Sequence, residues 1–139
     1  MASTPEPIIL ASASASRAAL LRAAGIDFIV DPAELDEGEL KCEARRAGRS
    51  AIECARALAR AKACTVSRRH PAAHVVGADQ LLAMGEEWFD KPADLAAARV
   101  QLEALRGHTH VLATAERLED RKSTRLNSSH VKSRMPSSA

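Results

Sequence analysis

The sequence predicts an α/β fold, a mixed central sheet flanked by helices. Short apolar runs at 7–11, 27–30 and 74–84 are bounded by small, polar or turn residues, which is typical of buried strands. Alanine-rich segments at 17–24 and 51–68 lie between these runs and have the start and end signals of helices. Because strands and helices alternate along the chain, we expect an α/β architecture. A length of 139 residues fits one compact domain.

The first strand and helix are connected by a loop of small residues. The strand at 7–11 runs into the serine-rich segment 12–16, and the helix that follows ends before Gly25. Serine before a helix-forming run and glycine after it are the usual boundaries. Residues 27–30 then predict a second short strand, which Pro32 closes.

The longest predicted helix contains a lysine on its apolar face. Residues 33–49 are polar and predict a loop, after which Ser50 and Glu53 have the spacing of a capping box. The helix should continue to about Arg68. Lys62 falls within the apolar stripe of this helix, where a charged side chain is unusual.

Residues 74–115 predict a long central strand, a turn and a short strand that runs back beside it, followed by a helix and a further strand. The run at 74–84 contains Asp79, which we place near the end of the strand. A turn at 84–87 leads to a short returning strand at 88–91. Asp94 should cap a helix that ends before Gly107, and residues 108–115 predict a further strand.

Charge and cysteine usage exclude several classes of protein. Residues 1–120 contain 15 basic and 18 acidic residues, a net charge of −3, whereas residues 121–139 contain five basic residues and no acid. The overall charge is therefore no argument for a nucleic-acid-binding domain. No apolar stretch is long enough to span a membrane. Three cysteines without CxxC spacing predict free thiols in a reducing cytoplasm, with neither a disulfide framework nor a zinc site.

The segment 121–139 differs in composition from the body. It contains six serines, no aromatic residue and few large apolar side chains, so we expect a disordered basic tail. A basic arm for nucleic acid or anionic lipid is the functional alternative to a simple unstructured end. The string STRLNSSHVK resembles translated sequencing-adapter read-through. We therefore expect residues 1–120 to be native and the tail to be foreign.

Two features of the body could support chemistry. The serine loop leads into a helix N-terminus, and Arg17 in the first turn suits an anion such as phosphate. Taken alone, the motif is weak, and a helix cap with a surface arginine is the favoured interpretation. Asp79 lies within an apolar run, where an ionised carboxylate is costly unless a cation or metal is near. Its alternatives are a metal-linked or water-activating carboxylate and a turn cap near Gly77.

The other candidates are weaker in isolation. Lys62 could extend from its stripe to water, Lys91 could be an ordinary loop lysine, and Glu37 could be a solvated acid. His108 and His110 lie on one face of a predicted strand, but no third ligand accompanies them. We therefore interpret the two histidines as packing or surface residues.

The sequence resembles the Maf family of nucleoside triphosphate pyrophosphatases. The resemblance rests on short motifs that occur in the family's order and spacing between residues 7 and 116: LASASASRAALL at 10–21, DE at 36–37, LARAKA at 58–63, GADQ at 77–80, KPAD at 91–94 and LRGHTH at 105–110. Each motif alone is weak, but together they are specific. The resemblance implies a Maf/ITPase-like α/β fold, of which residues 1–120 would form the N-terminal part.

The resemblance also implies roles for individual residues. Asp79 would be the catalytic base or a metal-linked carboxylate, and Glu37 would help to hold Mg²⁺ or Mn²⁺. The residues implied in substrate binding are Ser12, Arg17, Lys62, Gln80 and Lys91. Gln80 stands where members that prefer dTTP and UTP have threonine, which favours 7-methyl-GTP or a broader substrate range. Ala15 and Ser16 also depart from the family, as does Asp90, where glycine is usual.

The implied partner is a nucleoside triphosphate, which the enzyme would hydrolyse to the monophosphate and pyrophosphate, clearing modified nucleotides. We expect neither nucleic acid nor a membrane as partner, and the resemblance is compatible with a homodimer. The family is also linked to septum formation and cell-division arrest. A non-catalytic regulatory or nucleotide-binding protein therefore stays open as the alternative. Family members are longer, so we expect this chain to be poorly stable and inactive, with apolar sheet surface uncovered.

Overall fold

A computed structural model describes residues 4–120 and, for the backbone alone, residues 127–135. Within these ranges, six strands and four helices follow one another: β1 (Ile8–Leu10), α1 (Ala15–Ala23), β2 (Ile29–Val30), α2 (Glu37–Arg46), α3 (Ala51–Arg69), β3 (His74–Met84), β4 (Glu87–Phe89), α4 (Leu95–Leu105), β5 (His110–Asp120) and β6 (Asn127–Met135). None of these helices has the length and apolar character needed to cross a membrane.

The strands form one mixed sheet, as the sequence predicts. The strand order is β2-β1-β3-β5-β6, and β4 pairs with β3 outside this path. β1 is parallel to β2 and β3, whereas β4 and β5 are antiparallel to β3. On the edge of β3 opposite β5, β1 pairs with residues 74–76 and β4 with residues 82–84. Residues 77–81 therefore face an interruption of the sheet, with no strand partner on that edge among the described residues.

The capping box predicted for α3 is confirmed. The Glu53 amide donates to Ser50 Oγ at 3.3 Å, and the Ser50 amide donates to Glu53 Oε2 at 3.1 Å. The predicted apolar stripe of α3 packs on β3 and β5, where Ala55, Leu58 and Val66 are fully buried. This packing buries most of the apolar side chains of the core.

A glycine lets α3 approach the sheet closely. A Cβ atom added at Gly77 would lie 2.3 Å from the Ala59 carbonyl oxygen and 2.7 Å from the Ala63 amide nitrogen. Only a residue without a side chain fits beneath the helix there. The close approach brings Lys62 of α3 to Asp79 of β3.

The two faces of β3 have different roles because successive side chains of a strand point in opposite directions. Val75, Asp79, Leu81 and Ala83 are buried, and the apolar members of this set pack in clusters with α3 residues. The alternate residues line an open cleft on the other face of the sheet: Val76, Ala78, Gln80 and Leu82. Asp79 lies in the middle of β3. Its predicted position near the strand end is wrong, because pairing with β4 and β5 continues the strand to Met84.

The predicted loop at 33–49 is wrong, since α2 occupies residues 37–46. Asp36 caps this helix by accepting a hydrogen bond from the Glu39 amide at 2.9 Å. The first turn of the helix contains acidic residues and the last turn basic residues, an arrangement that the helix dipole favours. Ala44 is buried against α3, which stabilises a helix of otherwise polar composition. β5 is also longer than predicted, because β3 offers a partner along ten residues.

The tail is predicted to be disordered, but the backbone of residues 127–135 forms a strand, β6, beside β5. Strand pairing uses main-chain groups that every residue except proline carries, and β5 offers an edge for such pairing. A polar composition therefore does not prevent this contact. The prediction of disorder also covers residues 121–126 and 136–139, which lie outside the described residues.

Candidate active site

A cleft of about 790 Å³ lies mainly on the face of the sheet opposite α3, and where the sheet is interrupted it extends to Lys62 of α3 and to Asp79. Its floor is largely apolar, and its rim comes from the α1 N-terminus, the start of α2, the residues after β4, and α4. Six residues that the sequence predicts at a site line this one cleft: Arg17, Glu37, Lys62, Asp79, Gln80 and Lys91. The scattered motifs therefore converge in space.

A buried ion cluster lies where the sheet is interrupted. Lys62 Nζ is 2.9 Å from Asp79 Oδ1 and 2.8 Å from Glu37 Oε1, and it donates to the Ala78 carbonyl oxygen at 3.3 Å. Lys62 and Asp79 are only 8% and 5% exposed. Glu37 reaches the cluster because it is the first residue of α2 and not part of a loop. One cation thus joins α2, α3 and β3.

The cluster leaves one carboxylate oxygen without a partner. Asp79 Oδ2 is buried and accepts no hydrogen bond within the described part of the chain. Burial raises the pKa of Asp79 above its ordinary value, and the hydrogen bond and charge of Lys62 oppose this effect only in part. With all three side chains ionised, Lys62, Glu37 and Asp79 carry a net charge of −1. The cluster therefore favours an additional proton or cation at Asp79.

The serine loop positions an arginine at the cleft. Ser14 caps α1 by accepting the Arg17 amide at 3.3 Å, and Arg17 Nη1 donates to Ser12 Oγ at 2.9 Å. Ser14, Ser16 and Arg17 line the cleft, whereas Ser12 is buried behind them. Ser12 therefore reaches the cleft through Arg17, and its direct contact with a phosphate stays a prediction.

Gln80 and Lys91 lie at the exposed side of the cleft. Gln80 Nε2 donates to Thr114 Oγ1 at 2.9 Å across the β3–β5 pair. Lys91 is exposed, and its ammonium group makes no ion pair or hydrogen bond with the residues that the structure describes. Phe89, beside Leu82 and Leu112, adds an aromatic ring to the apolar floor.

The charges around the cleft nearly cancel. Three cations line it, Arg17, Lys62 and Lys91, against four carboxylates, Glu37, Asp79, Asp90 and Glu116. These side chains would therefore leave most of the negative charge of a nucleoside triphosphate uncompensated unless a cation accompanied it. The unpartnered Asp79 oxygen and the nearby Glu37 carboxylate are hard oxygen ligands that suit Mg²⁺ or Mn²⁺. These residues fit the predicted divalent ion.

A second cluster of metal-type side chains lies at the other end of β3. His74 Nε2 is 2.9 Å from Glu6 Oε2, and His74 Nδ1 is 3.6 Å from Asp120 Oδ2. The two carboxylates contact different ring nitrogens of the same imidazole, so His74 connects Glu6, which precedes β1, with Asp120 at the end of β5. Neither His108 nor His110 belongs to this cluster or lines the cleft.

Several residues at the cleft are absent from the sequence-based site. Asp90, Gln101, Thr114 and Glu116 line it, and Lys41 forms an ion pair with Asp90. The four-residue spacing of Glu37 and Lys41 is a signal only once residues 37–46 are known to be helical. Trp88 lies beneath the Arg45 guanidinium at 4.8 Å and packs against the core.

Comparison with known proteins identifies the family. The family model for Maf-like proteins matches residues 7–138. The chain belongs to the Maf family. Among its relatives, a nucleoside triphosphate pyrophosphatase of Paramagnetospirillum magneticum is 50% identical over 107 residues, which cover 77% of this chain and 55% of the relative. A 7-methyl-GTP pyrophosphatase of Mesorhizobium japonicum is 48% identical over 110 residues, which cover 79% of this chain and 55% of the relative.

This Maf-family chain spans about half the length of the curated relatives it matches. A Granulibacter bethesdensis relative, also named a nucleoside triphosphate pyrophosphatase, is 48% identical over 108 residues, or 78% of this chain and 55% of the relative. The predicted family and its mixed α/β fold are thereby confirmed. The roles of single site residues stay predictions.

Proposed function

We propose that this Maf-family chain binds a nucleoside triphosphate in the cleft and hydrolyses it to the monophosphate and pyrophosphate. The observation that carries the proposal is the buried Asp79, which lines the same cleft as Arg17, Lys62 and Lys91 and whose Oδ2 atom has no hydrogen-bond partner within the described residues. A buried carboxylate whose hydrogen bonds are only partly satisfied is costly, and such groups are concentrated at reactive sites. The names of the relatives support the same activity.

The cations have distinct positions along the phosphate chain in this proposal. Arg17 at the α1 N-terminus and Lys91 at the exposed rim would bind phosphate oxygens from opposite sides of the cleft. Lys62 orients the Asp79 carboxylate through their 2.9 Å contact. Asp79 Oδ2 would accept a hydrogen bond from a water molecule and take its proton as the water attacks the α phosphorus. The bond to the bridging oxygen then breaks, and pyrophosphate leaves.

Glu37 and Asp79 would hold Mg²⁺ or Mn²⁺. When bound, such an ion neutralises phosphate oxygens that the nearly balanced charges of the cleft leave uncompensated. A raised pKa makes the Asp79 carboxylate a stronger base than an ordinary aspartate once it is ionised.

The floor of the cleft would bind the nucleobase. Phe89 and the apolar side chains around it suit a flat ring, and the Gln80 amide lies close enough to contact the edge of a base. Some relatives are named 7-methyl-GTP pyrophosphatases, so we include 7-methyl-GTP among the proposed substrates. Clearance of modified nucleotides in the cytoplasm, a homodimeric state and a link to cell-division arrest are further parts of the proposal.

Release of pyrophosphate from dTTP, UTP, GTP and 7-methyl-GTP with Mg²⁺ tests the activity. We expect turnover that Asp79→Asn abolishes while nucleotide binding persists. Glu86→Gln, a change of an exposed carboxylate in the β3–β4 turn, is the matched control and should retain activity. If Asp79→Asn hydrolysed at the rate of the unchanged chain, the role of Asp79 would be wrong.

The second candidate is a non-catalytic nucleotide-binding or regulatory protein. Large exposed apolar side chains favour it, since Leu20 in the cleft lining is 71% exposed, and Leu95 and Leu102 of α4 are 89% and 67% exposed. Such residues are normally covered, and their exposure supports the expectation of a poorly stable, inactive chain. Saturable nucleotide binding without pyrophosphate release would favour this candidate, and Mg²⁺-dependent release would exclude it.

A further inference from the structure

Helix α2 contacts both the buried ion cluster and the residues that follow β4. Glu37, Lys41 and Arg45 recur every four residues and lie on one face of the helix. Glu37 pairs with Lys62, Lys41 Nζ lies 2.8 Å from Asp90 Oδ1, and the Arg45 guanidinium stacks over the Trp88 ring. One helix face therefore fixes the rim of the cleft relative to its interior.

The backbone around Lys91 is held, whereas its ammonium group has no partner within the part of the chain that the structure describes. Asp90 is fixed at its carboxylate by Lys41 and at its carbonyl oxygen by Gln101 Nε2, at 2.8 Å. Pro92 restricts the backbone on the other side. The Lys91 ammonium group itself lacks a partner among residues 4–120, so this anchoring presents it to the cleft.

The Lys41–Asp90 pair is a weak candidate for a purely stabilising contact. The Asp90 side chain is 81% exposed, and exposed ion pairs contribute little to the free energy of unfolding. Burial lowers the pKa of Lys41, but the hydrogen bond and charge of Asp90, together with the charges of Asp79 and Glu37, leave the pKa raised. The lysine therefore stays charged at neutral pH.

We propose that Lys41 and Asp90 are a positioning pair that fixes Lys91 for binding the phosphate chain of the nucleotide. The proposal rests on the proposed function for its ligand and goes beyond it by assigning a role to two residues outside the predicted site. Lys41 and Asp90 act through Lys91 and are not catalytic residues.

The first test is independent of nucleotide. Heteronuclear NOE values of the Lys91 and Asp90 amides report the mobility of this segment on the fast timescale. In Lys41→Gln and in Asp90→Asn we expect both values to fall. Arg99→Gln, which breaks an exposed ion pair with Glu103 on α4, should leave them unchanged. Unchanged values in both pair variants would overturn the proposal.

The second test measures affinity for a non-hydrolysable α,β-methylene triphosphate analogue with Mg²⁺ by calorimetry. We expect Lys41→Gln and Asp90→Asn each to weaken binding about five-fold, which corresponds to ~1 kcal/mol. In a Lys91→Gln background neither change should weaken binding further, because the pair acts through that ammonium group. An equal loss in both backgrounds would overturn the proposal.

The two tests separate this proposal from the proposed function. If the unchanged chain binds the analogue but releases no pyrophosphate from a true substrate, the catalytic part of the proposed function fails and the affinity comparison still decides the role of the pair. If the unchanged chain does not bind the analogue, nucleotide binding is refuted and so is the positioning of Lys91 for it. Thermal unfolding of the pair variants close to that of Arg99→Gln excludes a loss of fold as the cause.

Discussion

Replacing Gly77 with alanine should damage both stability and the site, because α3 rests directly on this residue. The added Cβ would lie 2.3 Å from the Ala59 carbonyl oxygen and 2.7 Å from the Ala63 amide nitrogen, both backbone atoms. Ordinary contact begins at 3.4 Å, so α3 must move away from β3 by about 1 Å. Backbone atoms of a packed helix cannot turn aside as a flexible side chain can.

The cost of this displacement can be worked out from the same contacts. Overpacking a well-packed interior typically costs 1–3 kcal/mol, and a clash with two backbone atoms places Gly77→Ala at about 3 kcal/mol. A retreat of about 1 Å would also lengthen the 2.9 Å contact between Lys62 Nζ and Asp79 Oδ1 beyond hydrogen-bonding distance. We expect hydrolysis to fall by about 100-fold, the order expected for a misplacement of this size.

Urea unfolding gives the free energy of unfolding, and pyrophosphate release gives the activity. Gly38→Ala is the matched control, because a Cβ there would meet only Asp36 Oδ1, at 3.5 Å. Alanine within α2 should raise the free energy of unfolding by up to about 1 kcal/mol and leave hydrolysis unchanged. The reasoning fails if Gly77→Ala unfolds at the same urea concentration as the unchanged chain.

Three further predictions concern the ion cluster. Because burial raises the pKa of Asp79, its contribution to stability is present at low pH and is lost as the pH rises through the folded-state pKa. Asp79→Asn should therefore be at least as stable as the unchanged chain at pH 8, yet inactive; a clear loss of stability in urea unfolding at pH 8 would contradict this. Lys62→Met leaves two carboxylates without their cation and should cost 3–5 kcal/mol, measured by urea unfolding at pH 8, with a smaller cost at pH 5. Chelation with EDTA should stop pyrophosphate release, and added Mg²⁺ or Mn²⁺ should restore it; release that persists in EDTA would show that the reaction needs no divalent ion.

Local signals predict most of the helices and strands. Ser50 and Glu53 mark the start of α3 because a capping box involves only neighbouring residues, and Asp94 likewise marks α4. Helix α2 cannot be predicted from local signals because its stability depends on residues that are distant in the sequence. Its Ala44 is buried against α3, and its Lys41 pairs with a residue 49 positions away. Polar composition alone cannot distinguish this helix from a loop.

The candidate site is predictable to different degrees. Lys62 and Asp79 can be identified from physical principles, since each is a charge in an apolar pattern, and the structure buries them as a pair. Glu37 and Lys91 depend on resemblance to the family, because nothing in their local sequence distinguishes them from surface residues. Arg17 has a local signal, the helix N-terminus after the serine loop, but a surface arginine beside a helix cap would give the same signal. Asp90 could not be assigned from sequence because its partner becomes visible only when α2 is folded against β4.

The interruption between β1 and β4 links ligand binding to the stability of the chain. The middle of β3 lacks a strand partner on that edge within the described residues, and Ala78, Asp79 and Gln80 there line the cleft. A ligand in this position contacts a surface that exists only when the chain is folded. Ligand at a hundred times its dissociation constant should therefore raise the free energy of unfolding by about 2.7 kcal/mol through mass action. The melting temperature should rise accordingly. The gap in the sheet would in this way make an occupied cleft part of what keeps the chain folded.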